Sequence, residues 1–314
     1  MSSSEPLDIK NYIGLTGDTP IRFIASDVDG TLVNDAKSVD PEVVNAVRAA
    51  RESGIRVAIA SGRAWHEMDD VIDAMPCLRY FVCTNGAYVM DKEEQKELVH
   101  ISFDKIRAID LVRKLMTYGV FVEAYVKAEI FGQYPVVGNE TAQAEHFFRP
   151  NIRPFILTTR TIVPDLIAHL ESLPEGPEKI QIFYGDERIR ERILANLRDA
   201  FQGAAVDGKG RERFYDVLES SEGNLEFVLP HTTKGTAVEA LANHWGYTPD
   251  EVMTIGDSEN DLSMIRFASA SVAMGNARDN VKAAARYETT DNNHYGVARA
   301  LYSAIAYNRE LENK

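Results

Sequence analysis

Short, unbroken apolar runs recur along the chain, separated by amphipathic stretches. Phe23-Ile24-Ala25, then Ile55 to Ala60 (IRVAIA), then Tyr80 to Cys83 (YFVC), and far downstream Val252 to Ile255 (VMTI) are each too short for a helix. Bounded by polar punctuation, runs of this kind read as strands buried on both faces, as in a parallel sheet. Asp40-Pro41-Glu42 predicts a helix start between the first two runs. Asp supplies the cap, Pro fits the first turn, and Glu is favoured by the helix dipole. Val43, Val44 and Val47 give that helix an apolar face, and Gly54 ends it. A second helix is expected after Arg63, before the third run. The rhythm is βαβ, which predicts a parallel sheet with right-handed crossovers.

After Asn85-Gly86, which reads as a turn, the pattern changes. AYVMDKEEQKELVHISF predicts two strands around a charged turn. Helices are expected near residues 104–118, 165–173 and 187–201. Strands are expected at VFVEAYV and KIQIFY, and in the pieces RFYDVLES and NLEFVLP. Mixed helices and hairpins of this sort suggest a separate α+β domain over residues 91–227. The βα rhythm resumes at Lys234, so residues 21–90 and 228–314 form one domain built from both ends of the chain. Residues 1–20 are a polar N-terminal extension. A length of 314 residues agrees with two domains, since single cores stop growing at about 250–300 residues.

Charge narrows the possible partners. With 34 basic and 48 acidic side chains the net charge is 34 − 48 = −14, which argues against nucleic acid or an anionic membrane. Cys77 and Cys83 form neither a disulfide framework nor a CxxC pair. No run approaches the roughly 20 apolar residues of a membrane span, and the first residues lack a signal peptide's apolar core. These features lead us to expect a cytoplasmic protein.

Candidate chemistry gathers where the strand-like runs end. The first delivers Asp27 and Asp29, followed by Gly30 and Thr31; the second delivers Ser61-Gly62-Arg63. Lys234-Gly235 opens an amphipathic segment, and Gly256-Asp257-Ser258-Glu259-Asn260-Asp261 follows the last run. Ligands bind at the carboxyl ends of strands in open α/β sheets. Convergence there would crowd Asp27, Asp29, Asp257 and Asp261 around only Lys234 and Arg63. Two like charges about 4 Å apart repel by about 4 kcal/mol at an effective dielectric of 20. A hard divalent cation relieves this, and oxygen ligands without His or Cys indicate Mg²⁺.

The ordered set DVDGTL, SGR, K-G and GDSEND resembles the haloacid dehalogenase-like (HAD) phosphohydrolases. With TNGA at Thr84 to Ala87 and MGNA at Met274 to Ala277, it is most similar to the Cof-type subfamily. The resemblance runs from about Ile21 onward. It implies an α/β fold, a Rossmann-like parallel-sheet core with an inserted α+β cap of the large, C2 type. It also implies hydrolysis of a small phosphorylated metabolite, a sugar phosphate or a phosphorylated cofactor. In that family the residue matching Asp27 is both nucleophile and metal ligand, forming an aspartyl-phosphate. The residue matching Asp29 is the general acid and then base, with its backbone carbonyl on the metal. Ser61 matches the phosphate-binding hydroxyl, aided by backbone N–H groups at Gly62 and near Thr31. Lys234 matches the lysine that holds nucleophile and phosphate together, and Asp257 the second metal carboxylate. Asn260 and Asp261 match residues that complete the site, Asp261 either ligating the metal or orienting Lys234. Arg63 either contacts substrate or pairs with a carboxylate. A phosphotransferase or mutase using the same intermediate, and a non-catalytic regulatory protein on the same fold, are the alternatives.

Three further signals carry less. Gly203 to Lys209 has the spacing of a nucleotide P-loop but lacks the following Ser or Thr. Phe147-Phe148-Arg149 reads as packing. Tyr295-Gly296 stands where the resembled family carries Asp-Gly.

Overall fold

The computed structural model describes residue 10 and residues 12–127, 129–136, 138–202, 214–219 and 223–314. In chain order the strands are β1 (Phe23–Ser26), β2 (Arg56–Ala60), β3 (Tyr80–Cys83), β4 (Tyr88–Asp91) and β5 (Lys96–His100). There follow β6 (Phe121–Val126), β7 (Glu129–Gln133), β8 (Thr161–Ile162), β9 (Lys179–Phe183), β10 (Asp216–Leu218) and β11 (Asn224–Val228). The last three are β12 (Val252–Gly256), β13 (Ala270–Ala273) and β14 (Tyr287–Glu288). Two compact units divide them. The first comprises the chain up to Arg63 with Met68–Val99 and Thr233–Lys314; the second comprises Ala64–Glu67 and His100–Thr232.

In the first unit the sheet order is β14-β13-β12-β1-β2-β3-β4-β5. Pairing is parallel from β14 to β3, and β4 turns back antiparallel on β3. The central strand β1 is buried throughout, its apolar run Phe23-Ile24-Ala25 ending in Ser26. Its register sets up the site: Ser26 lies opposite Ile59 of β2 and Ile255 of β12. The next residues on the three strands therefore emerge level, at the sheet edge where parallel strands end.

Helix Pro41–Glu52 begins as its sequence indicates, with the Asp40 carboxylate accepting from the Glu42 amide at 2.9 Å. Helix Lys234–His244 buries Ala237, Val238, Leu241 and Ala242 against Phe23, Ala25, Ala58 and Val82 of the sheet. Thr233 caps it through the Thr236 amide. Residues 12–20 run over the C-terminal helix Gly296–Glu312. Ile13 N donates to Ser303 Oγ at 3.2 Å, and just beyond, Asn308 exchanges two hydrogen bonds with the Ile21 backbone. Residues 1–9 and 11 of the extension lie outside the described residues, as does the P-loop-like spacing at 203–209.

The second unit has a sheet ordered β10-β11-β9-β6-β7-β8, antiparallel except for the β7–β8 pair. One face, with Val122, Ala124, Ile180, Ile182, Leu225 and Phe227, joins Ala108, Val112, Leu166, Leu170, Ile193 and Leu197 in one core. On the other face four polar positions are nevertheless buried: Glu123, Lys179, Gln181 and Glu226. They are satisfied in pairs. Arg160 binds Glu123 at 3.0 Å and Glu67 at 2.6 Å, and Tyr125 donates its hydroxyl to Glu123 at 2.8 Å. Phe147 and Phe148 pack with Phe121 and Phe183, as expected of a packing cluster.

The boundary expected at residue 91 differs from the division of the compact units at Val99. The charged turn after β4 returns the chain as β5 to the first sheet, so that hairpin extends the core. At the other end the division falls at Thr232, after residue 227. Sequence pattern gave no signal for β7, β8 or the helices Glu140–Phe147 and Arg153–Thr159. The first of these helices buries only Ala144 and Phe147, and the second only Ile156, too few for a periodic apolar face.

Candidate functional site

Lys234, at the first turn of its helix, is 1% exposed. Its ammonium donates to Asp27 Oδ1 and, at 2.7 Å, to Asp261 Oδ1. A cation at a helix N-terminus opposes the dipole, so two buried carboxylates are what hold it there. Asp261 is itself fully used. Its second oxygen, Oδ2, accepts from the amides of Asp257 and Ser258, both at 3.0 Å. Gly256 makes this close approach possible, because a Cβ there would lie 2.6 Å from Asp261 Cβ.

Asp257 follows β12 and accepts the Thr31 hydroxyl at 3.0 Å on Oδ1. Gly30 has φ +79°, and a Cβ on it would sit 2.7 Å from Asp257 Oδ2. Glycine at that position serves both the left-handed turn and the close contact. The Gly30 carbonyl accepts from Asn276 Nδ2 at 2.7 Å, tying the MGNA loop to the turn after β1. Asp27, Asp257 and Asp261 each offer a carboxylate oxygen, all within 4.8 Å of one another.

Electrostatics follow from the burial. Desolvation, then the Asp261 charge, push the Asp27 carboxyl well above the usual range, against the pull of Lys234. Asp257 is pushed up by the same two causes. Burial would lower Lys234, but Asp261 and Asp27 outweigh it and hold the ammonium above its ordinary value. The donor set therefore fits a hard divalent cation: clustered oxygens, no nitrogen or sulfur, and two carboxyls whose ionised form lacks enough positive charge.

Asp29 turns elsewhere. Its carboxylate is outside the three-acid group and is held by Arg63, Nε to Oδ2 at 2.8 Å and Nη2 to Oδ1 at 2.6 Å. Burial works to raise its pKa, but the Arg63 bond and charge, aided by Lys37, lower it below the usual range. Of the two roles open to Arg63, the structure shows pairing with a carboxylate. Ser61 is buried, and its hydroxyl accepts from the Arg63 amide at 3.1 Å. Thr31 spends its hydroxyl on Asp257 and Asn260 bonds Asn85 at 3.3 Å, so both also support neighbouring loops.

Asn85, expected as a turn residue, lies beside the site. Thr84, Asn85 and Gly86 are all left-handed, with φ of 52°, 53° and 105°. For a β-branched residue such as Thr84 this is a strained conformation. The loop is held by amides of Thr84 and Asn85, which donate to Arg63 O and Ser61 O at 2.9 Å each. A Cβ on Gly62 would lie 3.1 Å from Asn85 Oδ1, so the two loops abut. An Asn-Gly pair directly after a buried strand was the available signal. At Gly86 an added Cβ would meet the Thr233 carbonyl at 2.3 Å, just where the Lys234 helix begins. Gly86→Ala is expected to destabilise the protein by at least about 1–3 kcal/mol through overpacking and backbone strain. Urea unfolding checks this, and an unchanged midpoint would show that the loop is free to move.

Tyr295 also departs from the resembled pattern, and it adopts φ 61° as the N-cap of the last helix with no side-chain cap. The loop is held instead by Asn292, which donates to Val33 O and Asp35 Oδ1 at 3.1 Å each.

Comparison with known proteins decides the family. The family model described as haloacid dehalogenase-like hydrolase matches residues 24–301. The chain belongs to the haloacid dehalogenase-like hydrolases. Among similar HAD proteins is Phosphatase YwpJ of Bacillus subtilis, 29% identical over 290 residues, covering 90% of this chain and 99% of that one. The 5-amino-6-(5-phospho-D-ribitylamino)uracil phosphatase YcsE of the same organism is 28% identical, over 90% of this chain and 96% of its own length. A HAD-like hydrolase structure from Bacteroides thetaiotaomicron superposes with a TM-score of 0.72 at 26% identity, covering 90% and 98% of the two chains. All three HAD proteins span nearly their full length on this chain, so the fold and the hydrolase class apply to the whole of it. No described helix is long and apolar enough to cross a membrane.

Proposed function

We propose that this chain is a Mg²⁺-dependent phosphomonoesterase that acts on a small phosphorylated metabolite through an aspartyl-phosphate on Asp27. The observation that carries the proposal is the buried ammonium of Lys234 bridging Asp27 and Asp261, with Asp257 in the same oxygen cluster. A binding protein has no use for so costly an arrangement beside a second carboxylate, Asp29, two residues on.

Each group then has a task. Asp27 attacks phosphorus while the ester P–O bond breaks and its electron pair leaves on the alcohol oxygen. Asp29 gives that oxygen a proton, which its carboxyl first takes up against the pull of Arg63, then takes one from the water that releases phosphate and restores Asp27. Lys234 holds Asp27 in line and offsets negative charge on the phosphoryl oxygens. Ser61, with the amide of Gly62, receives those oxygens. Asp27, Asp257 and the backbone carbonyl of Asp29 would hold the cation, which supplies charge neutralisation between nucleophile and phosphate. Because both Asp261 oxygens are engaged, we assign it to orienting Lys234 and the Asp257 loop, and remove it from the direct ligands.

We read the second unit as a cap that selects the leaving group. YcsE acts on a phosphorylated ribityl compound by its name, and small polyol or cofactor phosphates are the class to test here. A phosphate-release screen across phosphorylated metabolites with Mg²⁺ is the direct experiment; no release from any ester would overturn the reading. Chelation is expected to abolish turnover, with Mg²⁺ restoring it. Ca²⁺ should restore it poorly, because its larger, looser coordination misplaces the phosphate. Equal rates with the two ions would count against the geometry.

A further inference from the structure

Arg63 occupies an unusual position for a residue expected to touch phosphate. Its guanidinium forks onto both oxygens of Asp29, at 2.8 and 2.6 Å, and its remaining nitrogen reaches Asp70 Oδ1 at 3.3 Å. Its backbone is fixed on both sides, by the Ser61 hydroxyl at 3.1 Å and by the Thr84 amide at 2.9 Å. The Arg63 side chain is 15% exposed, whereas that of Asp29 is 44% exposed. The rigid partner is thus the arginine, anchored between two loops of the site. The partner that needs holding is the carboxylate, on the turn after β1 with one weaker contact, Lys37 at 3.4 Å.

We infer that Arg63 is a positioning residue for Asp29: its fork selects the carboxylate's rotamer and so places the group that assists the leaving oxygen. This rests on the phosphomonoesterase reading above. A two-point guanidinium–carboxylate pair fixes orientation as well as distance, which a lysine at the same place cannot do. In proton transfer to the departing oxygen, misplacement of about 1 Å can cost roughly 100-fold. The cost depends on the ester. An alkoxide is a poor leaving group and needs the proton as the P–O bond breaks, whereas p-nitrophenolate leaves with its electron pair unaided. Loss of a phosphate ligand would instead weaken binding of every ester alike.

The test uses the full chain with Mg²⁺, and compares an alkyl ester, glycerol phosphate, with p-nitrophenyl phosphate. Arg63→Ala is expected to lower kcat on the alkyl ester by about 100-fold and on the aryl ester by at least about ten-fold less, with little change in KM. Added guanidinium should restore part of the alkyl-ester rate. Arg63→Lys, which keeps the charge, should restore less than guanidinium does. Equal losses on both esters, or a raised KM with kcat unchanged, would overturn the assignment. Turnover of the two esters by the unsubstituted protein reports separately on the phosphomonoesterase reading. A thermal-unfolding cycle of Arg63→Ala, Asp29→Asn and the pair needs no turnover at all. Non-additive shifts in midpoint support the pairing, and strictly additive ones refute it.

Discussion

Replacing Asp27 with Asn should lower kcat by more than about 10⁴-fold while leaving the fold intact, since loss of a nucleophile removes the covalent route itself. The substitution keeps shape and an oxygen acceptor for the Lys234 ammonium, so the buried contact survives. Stability should not fall, because burial and the Asp261 charge already disfavour the ionised Asp27 carboxylate. In metal-free buffer the unfolding midpoint of Asp27→Asn should therefore match or exceed that of the unsubstituted protein. Added Mg²⁺ should stabilise the unsubstituted protein more than the variant, as expected when one ligand is missing. Residual turnover near the normal rate would refute the nucleophile assignment. A large fall in stability would refute the electrostatic account.

Lys234→Met is expected to be the most damaging single change to the fold. Lys234 is 1% exposed and its partners Asp27 and Asp261 are 4% and 0% exposed. Removing the cation leaves two buried carboxylates without compensation, which typically costs about 3–5 kcal/mol against a total stability of about 5–15. Methionine fills similar volume, so packing loss is a minor part of that figure. Denaturant unfolding in metal-free buffer measures it. Mg²⁺ should recover part of the loss by supplying positive charge near Asp27 and Asp257. Turnover should vanish with or without the ion, because Asp27 has lost the group that holds it in line. A cost under about 1 kcal/mol would mean that the ammonium is not what compensates the buried carboxylates.

The first unit was legible because its signals are local. The apolar runs at Phe23, Ile55, Tyr80 and Val252 were long enough to read as buried strands, and all became neighbours in one sheet around β1. Asp40-Pro41-Glu42 capped its helix through the Asp40 side chain, as expected. The second unit was only partly legible. β7, β8 and two short helices gave no periodic apolar signal; the two helices pack through a few residues of the aromatic cluster with Phe121, Phe147 and Phe148. The hairpin β4–β5 was recognised, but not the sheet it joins, since strand pairing is a non-local choice.

The same division runs through the site. Which residue types are available was written in the chain: acids after two strands, a lysine at a helix start, a serine and an arginine after another strand. Their partners were not. Asp261 gives one oxygen to Lys234 and the other to two amides, and this follows from the path of the loop after β12. Asp29 is bound to Arg63 and stands apart from the other acids, although only one residue separates it from Asp27. Successive turn residues can point in opposite directions, and only the packed neighbours choose between them. Asn85 entered the site through three consecutive left-handed residues, of which Asn85 and Gly86 favour that conformation locally and Thr84 does not.

By itself, then, the sequence determined the central strands of the first unit, the start of its first helix and the inventory of charged groups, because these depend on residues near one another along the chain. The tertiary structure alone decided which carboxylate meets the lysine, which meets the arginine and which stand together in one oxygen cluster. Those pairings join residues as far apart as Asp27 and Lys234, and they are set by strand register and loop path, which exist only once the sheet has formed.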